Sequence, residues 1–208
     1  MCNKEILEEF VCFELKKERQ LDGALGNSYC LVLEKNGCLI FKDASANKGG
    51  VTSSSLEVLA ALSLTEAEYK EWMMEKKDGF YDKYVEEVWM HIEQNAMMEF
   101  ECLWRLKELT KEPLSVLSDK LSIAIITMKE QVMGSVLWEN VELRSSVLMQ
   151  GLPKLLLDKV GLKVLMERIP EAYLKAVFGT WLASRFVYKY GINAPQFAFF
   201  EFIGPLLK

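Results

Sequence analysis

Apolar residues at 85, 88, 89, 92, 96, 97, 100, 103 and 104 recur at helical spacing, predicting one long helix over 81–109. Pro113 closes that stretch and opens another, where Leu114, Leu117, Leu121, Ala124, Ile125, Met128 and Val132 repeat the pattern. Gly134 marks a break. Residues 136–149 predict a further helix, ended by Gly151-Leu152-Pro153, and 154–167 another with Gly161 inside it. Pro170 suits a first helical turn and Gly191 the position just past an end. Between them Tyr173, Val177, Trp181, Val187 and Tyr188 line one face. The tail 196–207 carries Phe197, Phe199, Phe200 and Phe202, which are expected to dock on the body.

The N-terminal quarter is patterned differently, and the first 50 residues hold five of the twelve glycines. Residues 5–18 fit a helix up to about Phe10 and are ambiguous beyond. Leu21–Asn27 reads as a loop, and 29–35 as a short helix stopped by Asn36-Gly37. Cys38 to Phe41 is a continuous apolar run bounded by turn signals, which predicts a buried strand of a parallel sheet. Asp43–Gly50 is small and polar, hence loop. A helix is expected from Ser54, with Thr52, Ser53 and Ser54 as cap residues and Glu57 completing a capping box. Thr65 with Glu68 forms a second box, opening a helix to about Lys77 that Asp78-Gly79 breaks. The fold expected is mainly α: a small α/β, partial Rossmann-like remnant within residues 1–64, then a C-terminal helical bundle over 65–208.

Composition narrows the function classes. Half of the 208 residues are hydrophobic and 26% are charged, enough for a sizeable core. The net charge is −5, without the basic stripe that nucleic-acid binding requires. No apolar run approaches the roughly 18–20 residues of a membrane span, and MCNKEILEEF lacks the apolar centre of a secretory signal. Five cysteines, an odd number without close pairing, point to ordinary thiols in a reducing, cytoplasmic setting, with cytosol and mitochondrial matrix both open. The single histidine, His91, rules out a metal site of usual spacing and reads as a rim residue. It cannot activate Cys102, because eleven residues of helix separate the two by about 16 Å. Glu86-Glu87 and Glu99 with Glu101 read as a solvated face, the five tryptophans as core, and the methionines as gap fillers. Arg185, inside an apolar helix, is left to pair with a glutamate or to cap a carboxylate.

The sharpest local feature is 43–56: a strand end, a small-residue loop, then a hydroxyl-rich helix start. Open α/β sheets bind ligands in such places. Gly49-Gly50 allows close backbone approach, and a helix start with unpaired N–H groups suits a carboxylate. The same residues also read as a capped helix after a turn.

FKDASANKGGVTSSSLEVLA (41–60) resembles the coenzyme-domain segment of the large NAD-dependent glutamate dehydrogenases of fungal type. Its centre, Asn47-Lys48-Gly49-Gly50-Val51-Thr52, is similar to the NAGGVT element of the short glutamate dehydrogenases. IPEAYLKAVFGTWLASRFVYKYG (169–191) with QFAFFEF (196–202) resembles the carboxyl end of the same large class. The resemblance implies oxidative deamination of L-glutamate to 2-oxoglutarate and ammonium with NAD as cofactor. By position, Ser54 resembles the serine that holds the substrate side-chain carboxylate, and Val51 the residue packed beside that side chain. Asn47 resembles the asparagine near the nicotinamide ribose, with Gly49 and Gly50 giving close approach.

No residue here matches the family's catalytic lysines and aspartate. Gly23-x-x-Gly26 is too short for the pyrophosphate loop, and Gly23-Ala24-Leu25 carries a leucine where the family has an amide. The expectation is therefore a C-terminal segment of such an enzyme, inactive alone, joined by a complementary subunit or a second copy. The rival expectations are a non-catalytic helical interaction or assembly module of the same descent, and a poorly folding gene fragment.

Overall fold

The structure, a computed structural model, describes residues 26–46 and 48–207. The readings made for 5–18 and most of the loop from Leu21, including Gly23-Ala24-Leu25, lie outside the described residues, as does Asn47. Eleven α-helices account for most of what is described: α1 Gly26–Lys35, α2 Asp43–Ala46, α3 Lys48–Ser63, α4 Glu66–Tyr69, α5 Phe80–Thr110, α6 Leu114–Met133, α7 Val141–Gly151, α8 Lys154–Val160, α9 Leu162–Arg168, α10 Glu171–Tyr190 and α11 Gln196–Ile203. No helix among the described residues is long and apolar enough to cross a membrane.

The mainly helical expectation holds; the α/β remnant is not seen among the described residues. Among the described residues there is no strand, and 38–42 runs without regular structure after α1. A strand is stable only against a second extended segment that takes up its backbone groups, and no strand among the described residues offers one. Phe41 instead stacks on Phe100 of α5, ring centroids 5.1 Å apart. Asn36-Gly37 does end α1: Gly37 takes φ +87°, and Cys38 N–H returns to the Leu33 carbonyl at 3.1 Å.

The punctuation of the C-terminal part is largely as read. Thr65 and Glu68 close a full capping box, Thr65 N–H donating to Glu68 Oε2 at 2.8 Å and Glu68 N–H to Thr65 Oγ1 at 3.3 Å. The helix they open is shorter than expected, passing into a π-type turn over Lys70–Met74. Left-handed Lys76, Asp78 and Gly79 then redirect the chain into α5. Two expected helices are each split. Asn140 separates a 3-10 turn, Val136–Glu139, from α7, and its side chain accepts from Leu143 N–H at 2.8 Å to cap the second piece. Gly161, at φ +87°, divides α8 from α9.

α10 is the hub, packing against α6, α7 and α5. Its Phe178, Leu174 and Leu182 join Leu143, Leu148, Leu156 and Leu165 in one buried cluster, where Phe178 meets Trp138 edge-on at 5.5 Å. A second cluster gathers Leu103, Leu114, Leu117, Leu121 and Phe186 around the buried Cys102. The tail docks by one face: Phe199 and Phe202 pack on Phe186, whereas Phe197 and Phe200 stand in solvent, contrary to the expectation for all four. Eight helical residues present two faces, and the body here covers one.

Candidate functional site

α3 begins at Lys48, six residues before the expected start at Ser54. Gly49 and Gly50 are thus helical, and Ser53 and Ser54 are not caps. Their hydroxyls fold back into the helix: Ser53 Oγ donates to Gly50 O at 3.2 Å, and Ser54 Oγ to Gly50 O at 3.0 Å and Val51 O at 3.2 Å. A hydroxyl with a carbonyl three or four residues back can satisfy itself without ending a helix, which the cap reading overlooked. Propensity does not hold this turn together, since each glycine costs about 1 kcal/mol in a helix; tertiary anchors do.

Those anchors lie on the inner face. Leu59, Ala60 and Ser63 are buried. Tyr84 of α5 donates its hydroxyl to Leu56 O at 2.6 Å, and Tyr173 of α10 donates to Ser55 O at 2.9 Å. Burial drives the Tyr84 hydroxyl pKa far above its ordinary value, so it remains a donor at any working pH. Arg168 bridges the far end, donating to Ser63 O at 2.9 Å and to Glu68 at 2.7 Å. At the near end, Lys48 Nζ meets Glu99 Oε2 at 2.6 Å, and the Tyr188 hydroxyl donates to the same oxygen at 2.7 Å.

The outer face is bare. Val51 is 76% exposed, and Ser54 and Val58 are exposed beside it. Val51, Ser54 and Val58 follow helical spacing, so they form one stripe. Gly49 lines a groove of about 530 Å³ between α3 and α5, with Ser53, Glu57, Tyr84 and Trp89 on its walls. Of the residues singled out in the sequence, Gly49, Gly50, Val51 and Ser54 therefore share the first turns of one helix, with Val51 and Ser54 facing solvent.

Two acidic residues expected on a solvated face, Glu99 and Glu87, are engaged instead. Glu99 is 4% exposed and takes the Lys48–Tyr188 contacts, so it is no part of a solvated face. The signal was available: Ile92, Ala96, Glu99 and Leu103 follow the 4-3-4 spacing of an apolar stripe. Glu87 accepts from the backbone N–H of Lys154 and Leu155 at the start of α8, and approaches His91 at 3.7 Å. Burial pushes its carboxyl pKa up, but the hydrogen bonds from His91 and that helix start outweigh burial and leave it below the usual value. Among the described residues Arg185 pairs with no glutamate; its Nη1 donates to Asn95 Oδ1 at 3.0 Å. Cys102 is buried against Val187 O, and burial raises its thiol pKa, so it is an inert thiol. Among the described residues no group of three or more His, Cys, Asp or Glu could hold a metal ion.

The family model for glutamate/leucine/phenylalanine/valine dehydrogenases matches residues 30–110, which contain α3 and its anchors Tyr84 and Glu99. The NAD-specific glutamate dehydrogenase of Neurospora crassa is 52% identical over 177 residues, covering 83% of this chain and 17% of that protein. Glutamate dehydrogenase 2 of Dictyostelium discoideum is 50% identical over 179 residues, with 85% and 17% covered. The NAD-specific glutamate dehydrogenase of Saccharomyces cerevisiae is 42% identical over 183 residues. No solved structure matches. Over most of its length, then, this chain is similar in sequence to one segment, about a sixth, of the large NAD-specific glutamate dehydrogenases.

Proposed function

We propose that this chain supplies one wall of the active site of an NAD-dependent glutamate dehydrogenase, completed by sequence outside these 208 residues. The observation that carries the reading is the two-sidedness of α3: an inner face bound to α5 and α10, and an outer stripe of Val51 and Ser54 that nothing among the described residues covers. Ser54 would donate to the substrate side-chain carboxylate, exchanging its internal carbonyl bond for a charge-assisted one. Val51 would pack along the substrate methylenes. Gly49 and Gly50, lacking side chains, would leave room for the nicotinamide end of NAD, with Asn47 beside its ribose. NAD, when bound, accepts the hydride from the glutamate α-carbon. The proton-handling groups and the pyrophosphate loop belong to the remainder of the enzyme.

In this reading residues 1–64 form a coenzyme-domain segment and 65–208 the helical domain that carries it, in a reducing, cytoplasmic setting. The irregular run 38–42 would enter a sheet whose other strands come from that remainder. The remainder is a complementary subunit or a continuation of the same polypeptide.

Co-expression with the upstream region of a large relative, followed by NADH formation from glutamate, tests this. The expected result is no turnover by the chain alone and turnover by the complex. Turnover by the chain alone would overturn it, and a stable but inactive complex would favour an assembly module.

A further inference from the structure

We propose that a second cavity, of about 330 Å³ between α3, α5, α6, α7 and α10, binds a small metabolite through a carboxylate or phosphate group held by Arg185 and Lys129. Its wall contains Arg185, Lys129 and His91 together with the hydroxyls of Thr52, Thr180 and Ser184, and among the described residues it carries no Asp or Glu. Arg185 is half-buried, and the partners of its Nη1 are neutral: Asn95 Oδ1 at 3.0 Å and Met98 Sδ at 3.0 Å. Among the described residues no carboxylate pairs with Arg185 or Lys129. Glu87, the acid nearest His91, is occupied by the start of α8.

A guanidinium withdrawn from water without a counter-charge costs free energy that an incoming anion recovers. Its donors form a fork that matches a carboxylate or phosphate edge. Burial also lowers the Arg185 pKa, against the opposite influence of Tyr188, as expected of a cation withdrawn from water. Trp181 lies beside the guanidinium, its ring centroid 6.0 Å away, and gives the cavity an apolar wall. The volume is that of a small-metabolite site.

This site goes beyond the dehydrogenase reading and is distinct from it. Thr52 and Ser55 face the cavity, whereas Val51 and Ser54 do not. A ligand bound there would join α3 to α10, adding to the bond from Tyr173 to Ser55.

Titration calorimetry of the 208-residue chain with inorganic phosphate and, separately, with glutarate tests the proposal, ionic strength being held constant with sodium chloride. The expected result is saturable binding of at least one probe, weakened roughly tenfold or more by Arg185→Gln and weakened less by Lys129→Gln. Which probe binds identifies the anion as phosphate or carboxylate. No saturable heat from either probe, heat that sodium chloride reproduces, or binding that survives both charge-removing variants would overturn the proposal. If Arg185→Gln fails to unfold cooperatively, Lys129→Gln decides alone, its side chain being partly exposed. The readout involves no glutamate turnover, so failure here leaves the dehydrogenase reading intact.

Discussion

The two faces of α3 and the interior around α10 obey different rules. Around α10, Phe178, Leu174 and Leu182 are enclosed on every side, and each apolar residue has its complement within the chain. Along the outer face of α3, Val51, Ser54 and Val58 meet no such complement, although the helix beneath them is tied down at both ends. A surface made precise by its supports and then left uncovered is what a site assembled from two pieces of sequence requires. On the proposed reading stability and chemistry are separable here, and substitutions can show where one ends and the other begins.

The largest effect is expected in the interior. Phe178→Ala should cost about 3–5 kcal/mol in urea unfolding, against less than about 0.5 kcal/mol for Val51→Ala. Comparable losses would mean that α3 is packed more tightly than its exposure indicates. Next comes the join between the regions. Glu99→Ala strands Lys48 and the Tyr188 hydroxyl, and should cost about 2–3 kcal/mol, below the full buried-pair value because Lys48 retains some solvent.

Acid should act more weakly and in a defined window. The carboxyls of Glu68 and Glu87 titrate below their ordinary value of 4.5; burial opposes this in each, and hydrogen bonds win. Their stabilisation is thus complete above pH 4.5 and lost as pH falls through the lowered folded values. The urea midpoint should fall below that pH, and Glu87→Gln should flatten the fall. A midpoint that rises on acidification would contradict the two hydrogen-bonded carboxylates.

The helical body was legible because periodicity and punctuation agree there: Pro113, Gly134, Pro170 and Gly191 bound α6 and α10 within a residue or so of where they stand. Gly161 and Asn140 were harder, since one residue decides whether a helix continues or restarts. The run 38–41 misled because an apolar tetrapeptide is extended only if a partner strand exists, and pairing is not a local property. At α3 the misreading came from chemistry shared by two states. Serine hydroxyls cap a helix start or bond back within it, and the choice was settled by the anchors Tyr84, Tyr173 and Glu99, remote in sequence. The candidate residues were legible by resemblance; their exposure was not.

Ser54→Ala separates the two faces most cleanly when unfolding and turnover are measured side by side in the co-expressed complex. Removing an exposed hydroxyl whose hydrogen bonds among the described residues lie within its own helix should leave the unfolding free energy within about 0.5 kcal/mol. Losing a hydrogen bond to a charged substrate group should lower kcat/KM for glutamate roughly 10- to 100-fold. Unchanged kcat/KM in a folded, active complex would contradict the assignment of the outer face of α3 to the substrate.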